Sequence, residues 1–127
     1  MTDTFSIGDL SREYEVTPRA IRFYEDAGLL SPQRKGRTRV FSSRDRTRLK
    51  LIVRGKRLGF SISEIGEILN LYDAPSGEQG QLRYFIRKIR ERRNQLEQQR
   101  KDIKAILKEL DGVEDQCKDL LAASRDS

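Results

Sequence analysis

Leu82, Ile89, Leu96, Ile103 and Leu110 recur at intervals of seven residues, and no other feature limits the fold of this chain as tightly. Four consecutive heptad steps put these side chains on one stripe of a helix. Phe85, Ile86, Ile106 and Leu107 widen the stripe near its ends, while Arg92, Arg93, Gln99 and Arg100 take the same offsets in the middle. The pattern predicts a coiled coil of about 29 residues, roughly 43 Å long at 1.5 Å per residue. A stripe so narrow stays in water unless another helix covers it, and the pattern shows no second helix of that length. The expected partner is therefore the same helix of another copy, with Leu82, Ile86, Ile89, Leu96, Ile103, Leu107 and Leu110 at the interface. Gly112 is expected to close the helix. Residues 113–123 then form a further short helix, on which the spacing of Cys117 with Val113, Leu120 and Leu121 reads the cysteine as a small buried apolar residue.

Upstream of the heptads the chain changes character. Ser6, Ser42 and Ser61 each stand three residues before an acid, Asp9, Asp45 and Glu64, and just ahead of an apolar helical pattern. That is the capping-box signature, in which side chains satisfy the orphan N–H groups of a helix start. Thr17 followed by Pro18 marks a fourth start, because proline is tolerated at the first helical position. Helices are expected over residues 7–14, 18–27 and 43–58, with Gly28 and Gly59 as stops. A fourth carries Ile62, Ile65, Ile68, Leu69 and Tyr72 on the face that completes a small core. The first two helices stand only a few residues apart, which is helix-turn-helix spacing. Residues 29–32 and 40–41 flank a basic tip containing Gly36 and suggest a β-hairpin wing. The expected organisation is a winged helix-turn-helix domain over 1–73, a linker over 74–81 rich in proline, serine and glycine, the coil over 82–111, and a short C-terminal helix and tail over 112–127. The fold class is mainly α.

Charge narrows the function. Charged residues make up 36% of the chain against 35% apolar, and the net charge is +6. The excess is concentrated between positions 31 and 57, where Arg34, Lys35, Arg37, Arg39, Arg44, Arg46, Arg48, Lys50, Arg54, Lys56 and Arg57 meet Asp45 alone. Such a block points to a polyanion. Arg19 and Arg22 lie three apart on the second helix, beside Tyr24, where arginine can donate two hydrogen bonds to guanine or hold phosphate oxygens. There is no histidine, and the single Cys117 cannot assemble a usual metal site within one chain. No catalytic residue, metal or cofactor is expected. The absence of a signal peptide or a membrane-length apolar run predicts a cytoplasmic protein that does not enter a membrane.

Four segments carry a resemblance to a known family. SIGDL at 6–10, TPRAIRFYEDAGLL at 17–30, RVF at 39–41 and LGFSISEIGEILNL at 58–71 are similar to the corresponding parts of MerR-type transcription regulators. The resemblance implies a four-helix winged domain, an antiparallel dimerisation coil and a short effector region. It implies DNA contacts from Arg19, Arg22 and Tyr24 on the recognition helix, from Arg39 with Arg37 and Thr38 in the wing, and from Thr17 at a capping position near the DNA backbone. It further implies a homodimer on a palindromic element of double-stranded promoter DNA, acting on RNA polymerase by distorting the promoter spacer. The chain departs from the family at Thr38, where tyrosine is common. It departs again in DGVEDQCKDLL at 111–121, where metal sensors carry two or more cysteines. The expected signal is therefore organic rather than a metal ion. No separate drug-binding domain is expected beside these segments. Two other classes remain open on the residues themselves: an architectural DNA-binding protein such as an excisionase, and a helical scaffold whose basic surface binds an acidic protein.

Overall fold

All four expected helix starts are capped as their residues dictate. Ser6 Oγ accepts the Asp9 N–H at 3.0 Å while Asp9 Oδ2 accepts the Ser6 N–H at 3.0 Å, and the Ser42–Asp45 and Ser61–Glu64 pairs repeat this reciprocity. Thr17 Oγ1 accepts the Ala20 N–H at 3.1 Å, with Pro18 in the first turn. The computed structural model describes the backbone over residues 3–73 and 79–125, and the side chains over 3–71 and 82–125. Its elements are β1 (Thr4–Phe5), α1 (Ile7–Tyr14), α2 (Pro18–Asp26), β2 (Gln33–Lys35), β3 (Thr38–Ser42), α3 (Ser43–Leu58), α4 (Ile62–Asp73) and α5 (Gln79–Arg125). They form two compact units, one ending at Phe85 and the other beginning at Ile86.

In the first unit the strands make an antiparallel sheet in the order β1-β3-β2. The hairpin pairs Lys35 with Thr38, so Gly36 and Arg37 form a two-residue turn. Gly36 has φ of 64° and Arg37 does not share the positive sign, the pattern of a type II′ turn, which calls for glycine at its first central position. Strand β1 was not foreseen, since two residues carry no alternation to read. The core is built by Leu10 of α1, Ile21 of α2, Leu30, Phe41 of β3, Leu49 and Ile52 of α3, and Ile65 and Leu69 of α4, all fully buried. Ile62 and Ile68 are half-buried, and the side chain of Tyr72 lies outside the described residues. Phe60 and Phe85 pack with ring centroids 6.5 Å apart.

Helices α3 and α4 approach each other at Gly55, which is buried. A Cβ added there would stand 2.8 Å from Ile65 Cγ1 and 3.1 Å from its Cδ1. Gly55→Leu is therefore expected to destabilise the first unit by about 2 to 3 kcal/mol, because overpacking outweighs the gain in helix propensity of up to about 1 kcal/mol. Thermal unfolding checks this. A melting temperature at or above that of the parent would mean that the two helices have room to separate.

The long helix differs from expectation at both ends. It begins at Gln79, so part of the expected linker is helical, while residues 74–78 lie outside the described ones. It also runs through Gly112 to Arg125, where a stop and a separate short helix were expected. The physical reason is magnitude. One interior glycine costs about 1 kcal/mol relative to alanine, which is too little to end a helix that is long on both sides of it, and the Lys118–Glu114 pair at 3.2 Å supports the turns beyond it. Gly112 is absent from the glycines with positive φ. Cys117, expected to be buried, is exposed, because in the single chain no helix covers its face. Among the described residues no helix is long and apolar enough to cross a membrane.

Candidate nucleic-acid interface

Helix α2 divides its side chains by the period of 3.6. Ile21 and Tyr24 turn into the core, whereas Arg19, Arg22 and Phe23 are exposed and fall on one outward face, with Asp26 at its C-terminal end. The N-terminus of the helix, where the aligned peptide dipoles favour an anion, lies beside Arg19. Arg19 and Arg22 have no ion pair among the described residues, so their donors are open to a ligand. Thr17 is exposed and serves as the cap. Tyr24 is only 6% exposed, and burial raises its phenol above the usual range. Its ring helps hold α2 on the core. The aromatic that faces outward is Phe23, 54% exposed and edge-on to Tyr24 at 5.9 Å. A helical wheel already places Phe23 with Arg19 and Arg22, so its signal was present in the residue spacing.

In the wing, the basic block was expected to meet no acid but Asp45. Instead Glu25, on the flank of α2, accepts a hydrogen bond from Arg39 Nε at 2.7 Å through Oε2, and one from Arg34 Nη2 at 3.1 Å through Oε1. Glu25 precedes the basic block, and only the folding of the hairpin against α2 brings the charges together. Arg37 and Thr38 are exposed at the tip, as is Lys35.

The rest of the block is similarly divided. Arg46 binds the Glu13 carboxylate through Nε at 2.9 and 3.0 Å and through Nη2, and its guanidinium stacks over Phe5 at 5.3 Å. The hydrogen bond from Arg46 holds the Glu13 carboxyl below its usual range. Arg48 is buried and donates from Nε to the Leu29 carbonyl at 2.8 Å, tying the segment after α2 to α3. Asp45 is also buried. Besides its capping role it accepts the Ser31 N–H at 3.1 Å, so it is not available to neutralise the surface. Lys35, Arg37, Lys50, Arg54, Lys56 and Arg57 remain exposed without an ion pair among the described residues. The polyanion-binding charge is thus smaller than the composition suggests.

Of the residues expected at the dimer interface, Leu82 and Ile86 are 45% and 46% exposed, Leu96 is 44%, and Ile103, Leu107 and Leu110 lie between 57% and 58%; Ile89 is half-buried. Ile106 widens this exposed apolar series, and Val113, Leu120 and Leu121 extend it past Gly112. Among the described residues no group of three or more His, Cys, Asp or Glu side chains could hold a metal ion.

Comparison with known proteins bears on this geometry. Residues 5–71 match a family model described as MerR HTH family regulatory protein, and residues 46–113 match one described as MerR, DNA binding. The chain is 30% identical over 115 residues to the HTH-type transcriptional regulator ZntR of Escherichia coli strain K12, covering 89% of this chain and 80% of ZntR. It is 32% identical over 72 residues to the HTH-type transcriptional regulator CueR of Salmonella typhi, a match that covers 55% of this chain and only 52% of the length of CueR. The crystal structure of a MerR-family transcriptional regulator from Bacillus cereus is similar with a TM-score of 0.70 at 27% identity, covering 86% of this chain and 78% of that one.

Proposed function

Since the chain belongs to the MerR family of DNA-binding transcription regulators, we propose that it binds a palindromic promoter element as a homodimer and controls transcription by distorting the promoter spacer. The observation that carries this proposal is the outward face of α2, where Arg19 and Arg22 stand open beside a basic wing held to the same helix. A helix of this kind presents its side chains to base edges in the major groove, while wing cations take phosphates. Thr17, Arg37, Thr38 and Arg39 are assigned to the DNA backbone, and Tyr24 contacts DNA only through the small part left exposed. The exposed stripe of α5 supports pairing with a second copy in antiparallel fashion, since a lone helix would leave that apolar area in water. RNA polymerase is the partner at the shared promoter, responding to the altered geometry of the DNA in the cytoplasm. The signal is organic rather than metallic, in keeping with one thiol and no imidazole in the chain.

Hydroxyl-radical footprinting on promoter fragments from beside the gene tests the proposal. Two protected half-sites related by a dyad, about 34 to 36 Å or a multiple of it apart, are expected. A single unsymmetrical block of protection would favour an architectural protein, and no protection at all would favour a scaffold for an acidic partner.

A further inference from the structure

We propose that Glu25 is a positioning residue for DNA binding, which fixes the wing on the recognition helix and holds the Arg39 guanidinium by its Nε edge so that the Nη groups are free for a phosphate. This rests on the DNA-binding role proposed for the wing. Arg34 and Arg39 are direct cross-strand partners in the β2–β3 hairpin, and like charges in that relation repel each other across the pair. Glu25 answers both at once, one carboxylate oxygen to each arginine, at 3.1 and 2.7 Å. The Glu25 side chain is only 17% exposed and that of Arg39 only 21%, so water screens this contact less than an open surface pair.

Arg39 spends one donor on Glu25, and its Nη groups make no hydrogen bond among the described residues. An arginine held at one edge presents the others in a fixed plane, which suits the paired oxygens of a phosphate. Glu25 also stands three residues after Arg22 on α2. The clamp therefore sets the offset between the side chain that reads a base and the one that grips the backbone.

The test turns on sign. As a charge alone, Glu25 repels DNA, and its removal should tighten binding. As a positioning residue, its removal should weaken binding. Affinity is measured by fluorescence anisotropy on a duplex carrying the footprinted palindrome, over a range of salt concentrations. Glu25→Ala is expected to lower affinity about tenfold for each half-site, or roughly a hundredfold on the palindrome, the worth of one charge-assisted hydrogen bond per copy. The slope of log affinity against log salt should fall by about 0.9 for each phosphate that Arg39 no longer neutralises. In an Arg39→Ala background the same change should cause no further loss of affinity. If Glu25→Ala does not fold, as judged by thermal unfolding, Glu25→Leu, which keeps the bulk but has no acceptor for Arg39, takes its place with the same expected direction. Affinity that is unchanged or raised, an unaltered salt slope, or an equal drop in affinity without Arg39 would overturn the proposal. Normal binding by Arg39→Ala alone would instead show that the wing's phosphate contact is itself wrongly assigned.

Discussion

Leu96→Lys is expected to split the proposed dimer and to remove operator binding with it. Leu96 is 44% exposed in the single chain and sits in the stretch of α5 where Arg92, Arg93, Gln99 and Arg100 occupy the other seam offsets. If Leu82 of one helix meets Leu110 of the other in an antiparallel pair, the two copies of Leu96 lie near the dyad, and each substitution faces its own copy. Lysine is the sharper choice than glutamate, whose carboxylate would find arginines on its own helix. Buried like charges without partners should cost about 3 to 5 kcal/mol, which weakens association roughly a hundredfold to several thousandfold. Sedimentation at micromolar concentration should then show single chains. Operator affinity should collapse too, because two half-sites are no longer held at fixed spacing. A variant that sediments as a dimer and binds normally would show that the seam lies elsewhere on α5.

Arg22→Ala should abolish discrimination between operator and random DNA while leaving the fold intact. A bidentate contact from arginine to a base is worth about 1 to 3 kcal/mol, and a homodimer forfeits it at both half-sites, or roughly 2 to 6 kcal/mol in all. Arg22 is exposed and has no ion pair among the described residues, so its removal should move stability by no more than about 0.5 kcal/mol. Gel-shift titration with competitor DNA, beside a thermal melt, separates the two effects. Unchanged preference for the operator would mean that α2 does not read base edges through this residue.

How much of this was legible before folding depends on the range of each interaction. The caps at Ser6, Thr17, Ser42 and Ser61 are contacts over three residues, and their spacing reveals them directly. The inward face of α4 was legible as periodicity, and so was the stripe on α5. Glu25 was not, because its partners Arg34 and Arg39 reach it only after the hairpin turns back on α2. For the same reason the sequence does not show that Glu13 and the Leu29 carbonyl engage Arg46 and Arg48 within the basic block. Tyr24 joins Ile21 on the inward side of the helical wheel, and Phe23 takes the outward position beside Arg19 and Arg22. Gly112 was misjudged on a magnitude, since the cost of one glycine is small beside the propensity of the helix around it. The hairpin was visible through Gly36, but the two residues of β1 were too short to signal a strand.

Whether two copies act together, each presenting one α2 and one wing to half of a palindrome, is decided by sedimentation equilibrium of the chain on two duplexes. One duplex carries both half-sites and the other a single half-site. Two chains are expected on the full duplex, taken up in one step, with binding to the single half-site weaker by orders of magnitude. One chain per full duplex, with the half-site bound as tightly, would contradict the dimeric mode of binding.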